Sequence, residues 1–354
     1  MTGNHLIKYW TSFWWNNMEN RHTIDELKEM QSYPLDIKIA LTKDRIRGWY
    51  NQYNGNVFVS RSGGKDSDVL GHIVKSMYPE VPQVFINTGL EWDSVRKHGI
   101  EVSDKVLYPE MNFVEVIKKY GYPVIGKEVA QRVCEAREKP DGESARRFTD
   151  CEHNRRYPEF SMEGYAWLLE APFLISHRCC RIMKKNPSKN FEKQTGMKPF
   201  VGTLADESRL RRSNWIRHGC NAFDLSRPVS APLSFWTEND ILQYIKDYNV
   251  DIADVYGNVV YEKDGYIYYE NLFGDGNLAL TGLERTGCCF CLFGISRDKE
   301  RLLKLKEIEP KKYNFVMNGG EFNENGMYIP NKQGLGFKFV VDWLNEHGNI
   351  GIKY

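Results

Sequence analysis

The chain is 354 residues long and carries 48 Lys and Arg against 47 Asp and Glu, for a formal net charge of +1. That length accommodates one large domain with an appendage, or two domains, and the balanced charge excludes a global field that would draw the chain to nucleic acid or an acidic membrane; any such role falls to local clusters. No segment approaches the roughly 18 apolar residues needed to cross a bilayer, and "MTGNHLIKYWTSFWWNNMEN" lacks the unbroken apolar stretch of a secretory signal, so a cytoplasmic protein without a membrane partner is expected.

Residues 1–55 read as a helical, Trp-rich extension, in which Thr23 is an N-cap candidate with Glu26 three residues on. Trp10, Trp14, Trp15 and Trp49 suit a core or a surface for a protein partner or a second copy of the chain. Residues 56–235 read as an α/β core. "VFVS" from Val57 is β-rich, and after two glycines Val69, Leu70, Ile73, Val74 and Met77 recur at helical spacing. "QVFINTG" is a second strand, and Phe113, Val116, Ile117 and Tyr120 mark one face of a further helix. Strands alternating with helices predict a mainly parallel, helix-covered sheet. Residues 236–354 open with a helix capped by Thr237 and Asp240, continue glycine-rich and irregular, carry a CxxC, and end in the amphipathic "FKFVVDWLNEHG".

The first strand-to-helix turn of a parallel sheet is the usual seat of a phosphate, and Ser62-Gly63-Gly64-Lys65-Asp66-Ser67 lies there. Gly63 and Gly64 let the backbone approach an anion, the helix N-terminus adds partial positive charge, and Lys65 adds a full one. It is not a Walker A loop, because Asp66 follows Lys65 and the spacing before it differs.

Eight cysteines are too sparse for a disulfide scaffold, and their grouping in a reducing cytosol fits metal or cluster ligation. Cys179 and Cys180 are adjacent, and Cys288 and Cys291 form the CxxC. Four thiolates suit an iron–sulfur cluster or zinc. Cys289 either replaces a neighbour or packs; Cys134, Cys151 and Cys220 are isolated. Arg178, Arg181, Lys184, Lys185 and Lys189 flank the adjacent pair, and Arg209, Arg211, Arg212 and Arg217 form a second basic group, together a funnel for phosphate or sulfate if both border one crevice.

The loop Ser62 to Ser67 resembles, at all six positions, the SGGKDS pyrophosphatase loop of the adenine-nucleotide alpha-hydrolase superfamily, and "INTGLEWDS" is similar to the second motif of that superfamily. "HRCCRIMKKNP", the distant CxxC, "GTLADESRLRR" and "PLSFWTENDILQYI" look like the PAPS/APS reductase-like family over about residues 56–300. The resemblance implies a Rossmann-like fold in which Ser62, Gly63, Gly64, Lys65, Asp66 and Ser67, with Thr88, Gly89 and Glu91, bind an adenine nucleotide. It implies Lys65 and Asp66 as catalytic groups with Mg2+, and Arg181, Lys184, Lys185, Glu207, Ser208 and Arg209 as anion or substrate contacts. Cys179, Cys180, Cys288 and Cys291 would hold a 4Fe–4S cluster, with zinc as the alternative.

Two departures redirect the expectation. Leu204 stands where that family often has an arginine, and no cysteine follows Cys291, so the thiol that attacks sulfur in sulfonucleotide reductases has no counterpart in the tail. The expected function is therefore ATP pyrophosphatase chemistry in sulfur transfer or nucleic-acid modification, such as DNA phosphorothioation or tRNA thiolation, with nucleic acid and a cysteine desulfurase or other sulfur donor as partners. The alternatives are a sulfonucleotide reductase using another thiol, such as Cys220, and a nucleotide-sensing subunit of a defence or mobile-element complex.

Overall fold

In a computed structural model that describes residues 21–269, 277–295 and 298–354, Val57, Phe58 and Val59 are buried on both faces of the strand Val57–Arg61 (β1). Burial on both faces is what an unbroken apolar run means in a parallel sheet. Two compact units make up the structure. The first holds the described residues up to Phe85 with Lys97–Val106 and Phe191–Glu284, the second Ile86–Arg96, Leu107–Asn190 and Arg285–Tyr354.

The first unit is built on a six-stranded sheet. Its strands in chain order are β1, Gln83–Ile86 (β2), Lys105–Leu107 (β3), Lys198–Val201 (β4), Asn221–Ala222 (β5) and Val229–Ser230 (β6), arranged β3-β2-β1-β4-β6-β5. β1 pairs in parallel with β2 (Arg61 opposite Phe85) and with β4 (Val59 opposite Phe200), β4 pairs in parallel with β6, and β5 pairs with β6 antiparallel at one edge. This is the α/β, mainly parallel sheet the alternation predicts. Helix Ile24–Ser32 begins at a complete Thr23/Glu26 capping box, and helix Leu35–Gln52 buries Ile46 and Trp49 in the same core as Val57, Val69, Ile73 and Trp236. Helix Glu238–Tyr248 starts at the Thr237/Asp240 box. Asp240 also takes the buried Lys38 ammonium at 2.6 Å, and so ties two helices together. Trp10, Trp14 and Trp15 lie outside the described residues.

The stretch after this helix is not irregular. Val259–Lys263 (β7), Tyr266–Tyr268 (β8) and Asn277–Leu280 (β9) form an antiparallel sheet of order β8-β7-β9. Asp264 and Gly265, both at positive φ, make the two-residue turn between β7 and β8, the Asp-Gly signal of a tight hairpin.

The second unit is mostly helical. Helix Phe113–Tyr120 starts at an Asn112/Glu115 capping box, and helices Lys127–Glu138, Arg301–Ile308, Pro310–Met317 and Phe337–Gly348 surround a core containing Tyr122, Phe173, Phe290 and Phe337. Arg137 organises its loops by donating to the carbonyls of Leu168, Leu169, Ala171 and Phe173. Among the described residues no helix is long and apolar enough to cross a membrane.

A charge network lies in the first unit where β1 meets its helix. Arg61 Nη2 is 2.6 Å from Asp68 Oδ1, Arg61 also donates to the Ser67 carbonyl, and His98 Nε2 is 3.2 Å from the same Asp68 oxygen with Asp251 on its other side. Burial acts to lower the His98 pKa, and Asp68 overrides it, so the folded value is raised above the ordinary 6.5. A raised value stabilises the fold fully below pH 6.5, and the gain is lost as the pH rises through the folded value. The stability gap between wild type and His98→Gln in thermal melts should therefore be widest in mildly acidic buffer and narrow in alkaline buffer; a gap independent of pH contradicts the network.

Candidate functional site

Ser62 to Ser67 folds as a strand end, a tight turn and a helix N-terminus. Gly63 has φ +70°, and Gly64 is the extended N-cap of helix Lys65–Met77, with no side chain to satisfy the first-turn N–H groups. The two serines lock the turn from inside. Ser67 Oγ donates to the Gly64 carbonyl at 2.7 Å and accepts the Ser62 N–H at 3.1 Å, while Ser62 Oγ accepts the Gly64 N–H at 3.2 Å. From the loop after β4, Gly202 packs against this turn: a Cβ there would come within 2.7 Å of the Asp66 carbonyl oxygen and 2.9 Å of Ser67 Cα. Only glycine permits that approach.

Lys65 is buried, at 4 % exposure, so its charge needs company. Its Nζ lies 2.9 Å from Glu238 Oε1, 3.5 Å from Asp66 Oδ1 and 3.4 Å from the Glu284 carbonyl, and its N–H donates to the Tyr256 hydroxyl at 3.3 Å. Burial alone would lower the lysine pKa, but Asp66 and then Glu238 raise it, so the ammonium stays charged. Around one cation and one backbone N–H the fold thus gathers two carboxylates, a carbonyl and a hydroxyl, oxygens of the kind a phosphate chain would supply. Burial raises the Asp66 pKa against the pull of Lys65, and Asp66 Oδ1 is a buried oxygen held only by the long contact to the Lys65 ammonium, a donor atom fit for a divalent cation. Arg211 also acts on Asp66, drawing its pKa down.

Glu207 and Ser208 build the neighbouring turn. Glu207 accepts the Leu204 N–H at 2.9 Å and pairs with Arg211, and Ser208 Oγ accepts the Arg211 N–H as N-cap of helix Arg209–His218. Arg209 is exposed, and Leu204 is buried in the core.

Thr88, Gly89 and Glu91 belong to the second unit. Thr88 Oγ1 donates to Glu91 Oε1 at 2.7 Å and accepts the Leu90 N–H, which closes a tight turn around Gly89 at φ +73°. The same Glu91 oxygen lies 3.6 Å from Lys184 Nζ. Lys312 Nζ donates to the Glu91 carbonyl at 2.8 Å.

The four paired cysteines are also in the second unit. Cys179 and Cys180 open a helical run whose next turn, Arg181–Lys185, is π-helical, with the Asn186 N–H donating to the Arg181 carbonyl five residues back. Such turns often mark functional sites. The two sulfurs are 4.0 Å apart; the hydrogen bond between them raises the Cys179 pKa and lowers that of Cys180, which Lys127 and Lys184 lower further. Cys288 and Cys291 sit on one turn, closed by the Cys291 N–H to the Cys288 carbonyl, and Arg301 donates to the carbonyls of Thr286 and Cys288. Cys289 is fully buried, and its N–H donates to the Leu90 carbonyl at 2.8 Å; burial pushes its thiol up, so it packs as an apolar residue. Cys180 and Cys288 each act electrostatically on Cys291, and Cys179 is acted on by both members of the CxxC. Among the described residues no three His, Cys, Asp or Glu side chains close on a point that holds a single metal ion. Arg181 and Lys185 are exposed, and Lys184 is half-buried between Cys288 and Glu91.

Of the isolated cysteines, Cys151 is exposed, Cys134 lies 3.5 Å from Glu138, and Cys220 is buried with the Ser234 hydroxyl donating to its sulfur at 3.3 Å. Burial raises the Cys220 pKa.

Residues 56–291 match the phosphoadenosine phosphosulfate reductase domain. The crystal structure of phosphoadenylyl-sulfate (PAPS) reductase from Candida auris, in its phosphate complex, is similar at 13 % identity, covering 60 % of this chain and 82 % of that one, with a TM-score of 0.35. No curated protein matches the chain.

Because Gly202 is pressed against the backbone of the loop rather than against a movable side chain, Gly202→Ala should cost about 1–3 kcal/mol of stability, read as a lowered denaturation midpoint. A midpoint equal to wild type would show that the turn does not depend on that contact.

Proposed function

The chain belongs to the phosphoadenosine phosphosulfate reductase domain family, a family of enzymes, and we propose that this member cleaves ATP to AMP and pyrophosphate in order to place sulfur on an oxygen-bearing acceptor, with a nucleic acid as the substrate class. The observation that carries the reading is the buried Lys65 ammonium at an uncapped helix N-terminus, beside a glycine at positive φ. In the proposed reaction an acceptor oxygen attacks the α-phosphorus, the bond to the bridging oxygen breaks, and pyrophosphate leaves with the electron pair. Lys65 and the loop amides would meet the negative charge that grows on that leaving group, and Ser62 and Ser67 would keep the amides in place. Asp66 would hold Mg2+, which neutralises phosphate charge when bound. Hydrosulfide, released from the persulfide of a cysteine desulfurase by a thiol that is oxidised to a disulfide, or supplied as such by another sulfur donor, would then displace AMP, which leaves with the activated oxygen.

Cys179, Cys180, Cys288 and Cys291 would hold a 4Fe–4S cluster that supplies structure or electronic tuning, since four thiolates leave no iron open. Four thiols in one electrostatic neighbourhood suit such a cluster, with one zinc ion as the alternative. Sulfonucleotide reduction through Cys220 is the weaker reading, because burial disfavours the thiolate such an attack needs. A nucleotide-sensing subunit would bind ATP without turnover.

With Mg2+ and ATP, the protein should release AMP and pyrophosphate, and Lys65→Ala should lower that rate by about 100-fold or more. Turnover that survives Lys65→Ala removes the loop from the chemistry. Glu238→Gln deletes the carboxylate that competes with phosphate for Lys65, and should tighten ATP binding by up to about fivefold in calorimetry; weaker binding would mean that Glu238 serves the nucleotide instead.

A further inference from the structure

Two cavities of the first unit, of about 440 and 240 Å³, have no part in the proposed ATP chemistry. Trp215, His218, Gly219 and Cys220 belong to the walls of both. The larger adjoins the Lys65 loop. Val201 and Thr203, which line it, flank Gly202, the residue pressed on the Asp66 carbonyl, and Arg211, also in its wall, acts on the Asp66 carboxylate. Leu204, Leu225 and Val229 give this cavity an apolar body. One buried donor in it is unmet: Trp215 is 3 % exposed and its Nε1 makes no hydrogen bond, the group it acts on being the Cys220 thiol, a weak acceptor.

The lining is one-sided in charge. Arg211 lines the larger cavity and Arg21 and Arg45 the smaller, and no Asp or Glu lines either. Glu207 pairs with Arg211, and Asp224 with Arg21 and His218, whereas Arg45 is exposed and pairs with no carboxylate among the described residues. An apolar cavity with an unmet donor, next to a cation without a partner, asks for a ligand that is flat, carries an acceptor on its edge and bears an anion at one end.

We infer that the larger cavity is the acceptor site and takes the base of a nucleotide, a carbonyl oxygen or ring nitrogen accepting the Trp215 N–H and a flanking phosphate pairing with Arg45. The inference rests on the sulfur-transfer reading and places its acceptor beside Asp66, in the unit that holds Lys65. Chemistry on one nucleotide of a strand requires that it be swung out of the stack into a pocket of this kind. The recognition is shared by a free nucleoside monophosphate and by a nucleotide within single-stranded nucleic acid.

The test is equilibrium binding to the full-length protein of a fluorescein-labelled single-stranded oligonucleotide and, separately, of nucleoside monophosphates, with ATP binding and cleavage followed in parallel. Trp215→Phe, which deletes the donor and keeps a ring, should weaken strand binding by about fivefold. Arg45→Glu should weaken it by about tenfold and lower the slope of log affinity against log salt by about one, and it carries the test from an exposed position should Trp215→Phe fail to fold. Both variants should bind ATP as the wild type does. Tighter binding of the strand than of the monophosphates assigns the acceptor to nucleic acid, and comparable binding assigns it to a free nucleotide. The inference is overturned if the wild type binds neither probe, if the folded variants bind the probes as the wild type does, or if Trp215→Phe weakens ATP binding as much as strand binding, which would give the cavity to the base of ATP itself. Weakened strand binding by the variants of a protein that does not cleave ATP would retire the sulfur-transfer reading and leave the nucleotide site standing.

Discussion

An ammonium group out of water must be matched by anionic oxygen, and in this protein that demand is made by Lys65. Asp66 comes from the adjoining residue, Glu238 from the first turn of a helix far along the chain, and the Glu284 carbonyl and Tyr256 hydroxyl from the segment after it. Because the lysine opens a helix whose N-cap is glycine, the same spot also presents backbone N–H groups and the positive end of a helix dipole. In the proposed function these oxygens stand where those of a polyphosphate would bind.

What keeps the site rigid is polar and lies behind it. Arg61, Asp68 and His98 form a buried network at the base of the helix, and the Ser62 and Ser67 hydroxyls close the loop on itself. Removing one member of such a network strands the others, so it specifies a single loop geometry more than it adds net stability. In the second unit the backbone does the corresponding work. The Cys289 N–H binds the Leu90 carbonyl, so the turn carrying the CxxC is fastened to the turn carrying Thr88 and Glu91, and Lys184 sits beside both Glu91 and Cys288.

Local chemistry made much of this legible. The Val57 strand, the glycine turn and the helix after it follow from apolar runs and periodicity, and the helices capped by Thr23 and Thr237 begin where the capping-box rule starts a helix. The hairpin at Asp264 and Gly265 carries its signal too, an Asp-Gly pair at positive φ, but it is set in a glycine-rich stretch whose composition is that of irregular chain. Long-range partners left no trace. Nothing near Glu238 or Tyr256 in sequence marks them as neighbours of Lys65, and nothing near Asp240 marks it as the counter-ion of Lys38.

The central claim is that Lys65 gives up its carboxylate partner to phosphate. A crystal structure with Mg2+ and a non-hydrolysable ATP analogue tests it most directly. The account predicts pyrophosphate oxygens on the amides of Gly63, Gly64 and Lys65, with Lys65 Nζ turned from Glu238 to the phosphates and the metal on Asp66. An analogue bound elsewhere, with the contact between Lys65 and Glu238 intact, would contradict it.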